Sequence, residues 1–278
     1  MYIRFRNGIC KFNLRINFCC RAVVTYSGFT PLDFAVRSGN IDTVRRLLRV
    51  PGIDVDKASN LTNPLFTAAS IGNLEMVKAL VGAGADINFK AVSDVTPLIG
   101  VAANGKEDIV RYLISSGANL NELDSSGASA AGNAAVSSNS RVLQILGDAG
   151  ANLTQLQGPA ALPLISLATA RSTIHAAAEM VQYLISKGAD VNQEDGNGLT
   201  PLLYAAVSGN TRVAELLLCA GAAIDHLNDK GNANVTALNA AAYKNNSETA
   251  QFLIKKGANV NLLTSISEGP AFLAAEVR

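Results

Sequence analysis

The stretch TPLIGVAANGKEDIVRYLISSGANLN, Thr96–Asn121, has a proline where a helix can begin and a Gly-Ala pair where one can end. Pro97 fits the first turn of a helix, and Gly117 fits a left-handed helix end. The two apolar segments between them are each too short to form a stable helix or a core alone. The stretch must therefore pack against another part of the chain.

Near-copies of this stretch lie on both sides of it. Aligned on Pro97, they follow one another at intervals of 33, 33, 33, 33, 38, 36 and 33 residues. The glycine equivalent to Gly117 recurs independently, from Gly84 to Gly257, at intervals of 33, 33, 38, 33 and 36 residues. This periodicity predicts a row of units that bury their apolar faces on their neighbours. The aligned positions are Pro31, Pro64, Pro97, Ala130, Pro163, Pro201, Ala237 and Pro270.

Each unit has the same order of local signals. A Thr or Ser such as Thr96 precedes the proline and can cap a short, alanine-rich first helix. A polar turn follows, and a second helix has apolar residues at helical spacing, as at Val77, Leu80 and Val81. After the closing glycine, about a dozen residues lead back to the next Thr-Pro, as in ADINFKAVSDV.

The unit G-x-T-P-L-x-x-A-A-x-x-G-N-x-E-x-V-x-x-L-x-x-x-G-A-D-x-N resembles the ankyrin repeat. The resemblance implies an all-α repeat solenoid of antiparallel helix pairs, with β-hairpin fingers projecting between them. We expect about seven full units and a partial one at the C-terminus. Residues 25–278 are predicted to be the repeat array, and residues 1–24 a lead-in or a degenerate cap.

The sequence departs from the family pattern at the histidine of the T-P-L-H motif. No unit has histidine at that position, which holds residues such as Asp33, Phe66 and Ile99. The hydrogen bonds that this histidine makes between units in the family are therefore missing, and we expect lower stability. The fourth unit, Gly127–Leu153, also lacks the proline and most large apolar residues of the first helix, so we expect it to be the least stable.

Two units are longer than the others. The fifth has five extra residues around Thr169–Ala178, which predict extra helical turns or a raised loop. Arg171 and His175 are candidate partner contacts there, although loops also tolerate neutral insertions. Three extra residues in Ala222–Thr236 predict a longer finger, either for recognition or as a neutral loop.

The two ends differ from the rest of the chain. Apolar and polar residues alternate from Cys10 to Phe18, after Asn7-Gly8, which is a strand or hairpin signal. The last unit stops after its first helix, Pro270–Val277. That helix is either a thin cap, or the physiological chain continues, or the array associates end to end there.

Composition excludes several classes of function. The net charge is +1 and only 16% of residues are charged, so we expect neither nucleic acid nor an anionic membrane as partner. No apolar run reaches the roughly 20 residues that span a bilayer. No catalytic motif is present, and the cysteines and histidines have no metal-site spacing. We therefore expect no enzyme activity and no cofactor, and a cytoplasmic location, with the nucleus as the alternative. The cysteines and histidines are Cys10, Cys19, Cys20, Cys219, His175 and His226.

The family resemblance implies a protein–protein interaction scaffold or adaptor that binds its partner through a concave face and fingertips. The alternative is a regulatory or targeting region of a larger enzyme, channel or ubiquitin-ligase assembly. The predicted surface has no Trp and few Tyr or Arg anchors, so we expect modest affinity or a site at one end. The candidate partner-binding residues are Tyr26, Phe29, Arg37, Asn60, Val95, Asn197, Leu199, Asn232, Val235 and Tyr243.

A third reading concerns asparagine in the fingers. The L-x7-N spacing at Leu80–Asn88 and Leu184–Asn192 is similar to sites at which ankyrin repeats are hydroxylated on Asn. The alternative, which we favour, is that each of these asparagines holds a finger turn in place.

Overall fold

Short helices in antiparallel pairs make up nearly all of the regular structure. The computed structural model describes residues 2–5, 8–11, 29–57, 62–171, 174–228 and 234–263. Contacts within the chain divide it into two compact parts, each of which contains several repeats. These parts are here called the first unit (residues 1–101 with 108–119) and the second unit (residues 102–107 with 120–278).

The first unit begins with a two-stranded antiparallel ribbon. Strand β1 is Tyr2–Phe5 and strand β2 is Gly8–Lys11, with Tyr2 opposite Lys11 and Phe5 opposite Gly8. The strand or hairpin signal that follows Asn7-Gly8 is therefore confirmed as far as Lys11. Most of the alternating segment that follows, residues 12–18, lies outside the described residues.

The helices of the first unit pack in pairs and against the next pair. Helix α1 packs on α2 and α3, and α4 packs on α2 and α3. Leu65, Met76 and Leu80 are fully buried in this core. The helices are α1 (Pro31–Arg37), α2 (Ile41–Leu48), α3 (Pro64–Ile71), α4 (Leu74–Gly82), α5 (Pro97–Ala103) and α6 (Glu107–Ser115), of which the end of α5 and the first residue of α6 fall in the second unit.

The second unit repeats this arrangement four more times. The first helices pack in the order α7, α9, α11, α13, and the second helices in the order α8, α10, α12, α14. Leu143, Leu146, Leu164 and Leu184 are buried between them. The helices are α7 (Ala130–Val136), α8 (Ser140–Asp148), α9 (Leu164–Arg171), α10 (Ile174–Ser186), α11 (Pro201–Ser208), α12 (Thr211–Cys219), α13 (Ala237–Tyr243) and α14 (Ser247–Lys255).

Seven helix pairs are thus present among the described residues, and the predicted repeat solenoid is confirmed. The predicted partial unit at Pro270–Val277 lies outside those residues. The caps read from the sequence are also present. Thr30, Ser129 and Thr200 each accept a hydrogen bond from the backbone N–H three residues on.

The insertion in the fifth repeat, around Thr169–Ala178, lengthens a helix. Helix α10 has 13 residues, whereas α8 and α12 on either side have nine each. The prediction of an extra helical turn is confirmed, because the inserted segment contains alanines and no Gly or Pro to stop the helix. The longer finger in Ala222–Thr236 is described only in part, with Asn228 bridged to Val235 at its base.

A buried glutamine fills the space left by small residues in the fourth repeat, Gly127–Leu153. Helix α7 buries Ala130, Ala131 and Gly132, which leave room above the helix. The side chain of Gln157, only 2% exposed, occupies that room, and a Cβ on Gly132 would overlap it. The low stability expected for this unit stays a prediction.

Candidate binding surface on the fingers

The segment between the second helix of one pair and the first helix of the next is here called a finger. Three fingers are closed by single antiparallel bridges, Leu123 to Ser129, Gln157 to Leu162, and Asn228 to Val235. In the second unit the described finger residues are 120–129, 151–163, 189–200, 222–228 with 234–236, and 258–263.

An aspartate holds the tip of the finger before α7. Asp124 Oδ1 accepts hydrogen bonds from the backbone N–H groups of Ser126 (2.9 Å) and Ala128 (3.0 Å), and from the Ser126 hydroxyl (2.6 Å). Its second oxygen accepts from Asn133 Nδ2 on helix α7 at 3.3 Å. Burial raises the pKa of Asp124, but the hydrogen bonds from Ser126, Ala128 and Asn133 together outweigh burial, and the pKa is lowered.

The finger before α11 is built in the same way. Asp195 Oδ1 accepts from the backbone N–H groups of Asn197 and Leu199, both at 2.8 Å. Its Oδ2 accepts from the hydroxyl of Tyr204 on α11 at 2.7 Å. Each of these two fingers is therefore fixed both within itself and to the helix that follows it.

Neighbouring fingers of the second unit are also joined to each other. Asn152 N–H donates to Asn121 Oδ1 (2.8 Å), and Gly158 N–H to the Gly127 carbonyl (2.9 Å). Further along, Gly196 N–H donates to the Ala160 carbonyl at 2.8 Å. Two more side chains complete the series, because Asn192 Oδ1 accepts from Ala223 N–H (2.8 Å) and Asp225 Oδ1 from Asn259 N–H (2.9 Å).

The two asparagines with L-x7-N spacing both make such links. Asn88 Oδ1 accepts from Asn119 N–H at 2.8 Å in the first unit, as Asn192 does from Ala223 in the second. Asn192 Nδ2 also donates to the Gly221 carbonyl at 3.2 Å. These contacts give both side chains a structural role.

Phe29 and Arg37 come together at the beginning of the first unit. The Arg37 guanidinium carbon lies 4.4 Å from the centre of the Phe29 ring, and Arg37 is exposed. Beside it is an open groove of about 450 Å³. Its lining mixes apolar and hydroxyl side chains with one cation, namely Arg37, Thr62, Phe66, Thr67, Ser70 and Ile71. Tyr26 and Asn60 lie outside the described residues.

The other candidate positions are spread over both units. Val95 and Val235 are half-buried at finger bases, and Leu199 is half-buried above Asp195. Asn197 is exposed at a fingertip. Tyr243 ends helix α13 with 51% of its surface exposed and has Lys244 Nζ 5.4 Å from its ring centre. Asn232 lies in the part of its finger that is not described.

The insertion candidates lie away from the fingers. Arg171 ends α9, and His175 is an exposed residue in the first turn of α10. Helix α9 begins at its finger and ends at Arg171, so its eight residues separate the two by about 12 Å. The structure therefore does not bring Arg171 and His175 to the finger surface.

A row of leucines on the fingers was not among the predicted contacts. Six residues after the closing glycine, the second unit has Leu123, Leu156, Glu194, Leu227 and Leu263 in successive fingers. Leu156, Leu227 and Leu263 are 42%, 40% and 57% exposed. Alignment on the closing glycine could have found this row, since the position recurs once per unit.

The described parts of the chain contain no cluster of three or more His, Cys, Asp or Glu that could hold a metal ion. Within the same residues, no helix is long and apolar enough to cross a membrane. Cys219 is exposed at the end of α12.

Comparison with known proteins places this surface in a family context. A family model described as ankyrin repeats, three copies, matches residues 65–157 and 167–264. A second model, ankyrin repeats in many copies, matches residues 32–81. Ankyrin repeats generally mediate protein–protein interaction, and the matches indicate no enzyme family.

Individual proteins show the same similarity. The putative ankyrin repeat protein FPV031 of fowlpox virus is 36% identical over 102 residues, covering 36% of this chain and 28% of that protein. The probable 26S proteasome regulatory subunit p28 of Saccharomyces cerevisiae is 36% identical over 102 residues, 36% of this chain and 44% of the subunit. The chain thus matches less than half of the length of either relative. The crystal structure of the human ASB11 ankyrin repeat domain superposes with a TM-score of 0.67 and 26% identity over 76% of this chain and 91% of that one.

Proposed function

The chain belongs to the ankyrin repeat family, and on that premise we propose that it is a non-catalytic scaffold or adaptor that holds a partner protein. The partner binds on the fingers and on the exposed sides of the first helices. The carrying observation is the series of hydrogen bonds that joins successive fingers of the second unit, from Asn121 to Asn259. A surface fixed before binding loses little conformational entropy when the partner docks.

Two areas supply side chains suited to the centre of an interface. In the first unit, Phe29 and Arg37 lie beside the groove that contains Phe66. In the second, Tyr243 is exposed at the end of α13. Interface hot spots are enriched in Tyr, Trp and Arg, so these residues are the expected anchors.

The proposal is tested by capture from native cell extract with the full chain as bait. A captured protein is then purified and its affinity measured against three variants: Phe29→Ala with Arg37→Ala, Val235→Ala with Tyr243→Ser, and Asn197→Ala with Leu199→Ala. We expect at least one of these pairs to weaken binding about tenfold or more. Arg171→Ala with His175→Ala tests the insertion as an alternative contact, and Arg212→Ala with Glu215→Ala, which removes an exposed ion pair on α12, is the matched control. If all three finger variants bind the partner as tightly as the native chain does, the proposal is contradicted.

A second candidate is a regulatory or targeting region within a larger assembly. It is favoured by one observation, namely that the chain matches only 28% and 44% of the two relatives' lengths. Sequencing the native transcript on both sides of the coding region for residues 1–278 tests it. A longer reading frame with a further domain supports this candidate, and a frame limited to these residues rejects it.

We also propose that residues 25–278 form the repeat array, that residues 1–24 are separable from it, and that the protein acts in the cytoplasm or nucleus. Limited proteolysis followed by mass spectrometry tests the boundary, and a fluorescent fusion tests the location. End-to-end association through Pro270–Val277 is tested by analytical ultracentrifugation of the chain with and without those residues. A concentration-dependent dimer that the truncation abolishes is the expected result.

A further inference from the structure

The fingers of the second unit carry an apolar row with a single acid in its middle. Leu123, Leu156, Leu227 and Leu263 occupy equivalent positions, and Glu194 takes the central one. Single exposed leucines are normal, but repetition at one position of successive units places these side chains in a row, here called the leucine stripe, in which Leu123 is half-buried. The hydrogen bonds between neighbouring fingers keep these side chains in fixed order.

The charges of the acidic and basic residues within the described fingers of the second unit have one sign. The described finger residues of the second unit include six acids and neither lysine nor arginine. Asp229 and Lys230, outside those residues, cancel each other. His226 is the one other titratable side chain beside the stripe in the described fingers, with Nε2 3.2 Å from Glu194 Oε1. The acids are Glu122, Asp124, Asp190, Glu194, Asp195 and Asp225.

We propose that this leucine stripe, Leu123, Leu156, Leu227 and Leu263 with Glu194, is the docking surface for a basic amphipathic helix of a partner protein. The inference rests on the proposed function and names its partner chemistry. Acidic fingers attract lysine and arginine and repel nucleic acid and anionic lipid, so a cationic protein segment is the complementary occupant.

The spacing of the stripe selects a helix over an extended strand. Stacked helices lie about 8–10 Å apart, so equivalent residues on successive units are about one such step apart. A helix advances about 10.5 Å in seven residues, close to the upper end of that step. A strand places residues of one face about 6.8 Å apart, which falls further short of it. The partner helix would therefore carry apolar residues at seven-residue intervals.

The position of Glu194 defines the middle of the partner. With Leu123 and Leu156 on one side and Leu227 and Leu263 on the other, the complementary pattern is apolar, apolar, basic, apolar, apolar. A lysine or arginine in the central place would meet Glu194 and its neighbour Asp190, which is exposed. The His226 ring, which contacts Glu194, would be displaced or would share the carboxylate.

The test uses three synthetic peptides of about 29 residues, the length of four heptads plus one residue. The first has leucine in four heptad positions, lysine in the central one, and lysines flanking the apolar face. The second replaces every lysine with glutamate, and the third keeps the composition but spaces the leucines five residues apart. Binding to the full chain is measured by fluorescence anisotropy at two salt concentrations.

The first peptide should bind about tenfold or more tightly than either control, with affinity falling as salt rises. Leu156→Ser with Leu227→Ser should weaken its binding about tenfold, and Glu194→Gln should reduce the salt dependence. The matched control is Val136→Ser on α7, an apolar residue 44% exposed in the same unit, at the end of its helix opposite the finger. Circular dichroism of each variant verifies that the fold is retained.

Equal binding of the acidic or respaced peptide, or no effect of the leucine substitutions, would overturn the inference. Its failure is separable from that of the proposed function. A partner captured from cells that is lost on substitution of Phe29 and Arg37, while all peptides fail to bind, leaves the scaffold proposal standing and removes the leucine stripe as its docking surface.

Discussion

Gln157 Oε1 accepts two hydrogen bonds from Ser129, one from its backbone N–H at 2.8 Å and one from its hydroxyl at 3.0 Å. Both residues are buried, and they are 28 residues apart in adjacent units. Gln157 therefore fills the space over the small residues of α7 and also forms hydrogen bonds between adjacent repeats.

Removing this glutamine should destabilise the second unit. Gln157→Ala leaves the Ser129 N–H buried without its acceptor and opens a cavity over α7. We expect the free energy of unfolding to fall by about 2–4 kcal/mol. Urea unfolding followed by circular dichroism measures the change. An unchanged midpoint would show that water replaces the glutamine without cost.

Gly132 provides a second test of the same contact. Glycine in a helix is normally about 1 kcal/mol less stable than alanine, but here a Cβ would overlap the Gln157 side chain. Gly132→Ala should therefore destabilise the native protein and stabilise the Gln157→Ala variant. The sign reversal is the diagnostic outcome of this double-mutant cycle, and additive effects would reject direct contact.

Asn139 fastens one helix pair to the end of the preceding first helix. Its Nδ2 donates to the carbonyl oxygens of Ala102 (3.0 Å) and Ala103 (2.9 Å) at the C-terminal end of α5, where Ala102 also accepts a long bond from Gly105 N–H (3.4 Å). Asn139→Ala should lower the free energy of unfolding by about 1–3 kcal/mol. Asn73→Ala is the matched control, since Asn73 caps only its own helix and accepts from Met76 N–H. The control should cost about 1 kcal/mol.

Asn246 makes the same contact with Ala206 (2.8 Å) and Val207 (3.0 Å), and both asparagines lie against a glycine. A Cβ on Gly105 would be 2.8 Å from Asn139 Oδ1, and one on Gly209 2.9 Å from Asn246 Oδ1. Both glycines have positive φ, which alanine adopts poorly. Gly209→Ala should thus destabilise more than Gly39→Ala, where φ is also positive but the added Cβ meets open space. Equal costs would remove the asparagine contact as the reason.

Tyr183 links helices α8 and α10 through Asp148. Its hydroxyl lies 2.9 Å from Asp148 Oδ1, and Lys187 Nζ lies 2.9 Å from the same carboxylate. The hydrogen bond from Lys187, and after it the one from Tyr183, lowers the pKa of Asp148. Burial raises the pKa of Tyr183, and the bond to Asp148 raises it further.

A tyrosine whose folded pKa is raised contributes stability below its ordinary pKa of 10.0 and loses that contribution as pH rises above it. Tyr183→Phe should therefore lower stability by about 1 kcal/mol at neutral pH and make the alkaline fall in stability less steep. Tyr112→Phe is the control, because Tyr112 contacts Lys78 only through its ring face. Ultraviolet titration is the direct readout. The Tyr183→Phe variant should have one tyrosine fewer that ionises above the ordinary pKa of 10.0.

The fingertip carboxylate Asp124 should make stability depend on pH at the acid end. Its folded pKa is lower than the ordinary 3.8, so its contribution is present above that value and is lost as pH falls through the folded pKa. The difference in stability between the native chain and Asp124→Ala should be constant near neutral pH and shrink below about pH 3.8. Carbon-13 NMR of the carboxyl groups should show Asp124 titrating late; a titration at or above the ordinary value would contradict this account.

The sequence by itself determined the repeat, because its signals act between residues close in the chain. Thr30, Ser129 and Thr200 cap helices through backbone groups three residues away, and the alanine-rich insertion extends α10 because it has no Gly or Pro to stop the helix. The pairing of β1 with β2 is equally local.

Tertiary structure alone decided which side chains join one repeat to the next and which remain exposed. Gln157 meets Ser129 across 28 residues, and Asn139 meets Ala102 across 37. Such contacts depend on how closely one unit packs on the next, and residue types in a single unit do not specify that distance. The leucines of the fingers recur in the sequence, but their exposure depends on the packing of the repeats. A side chain is buried or exposed only according to whether a neighbouring repeat packs over it.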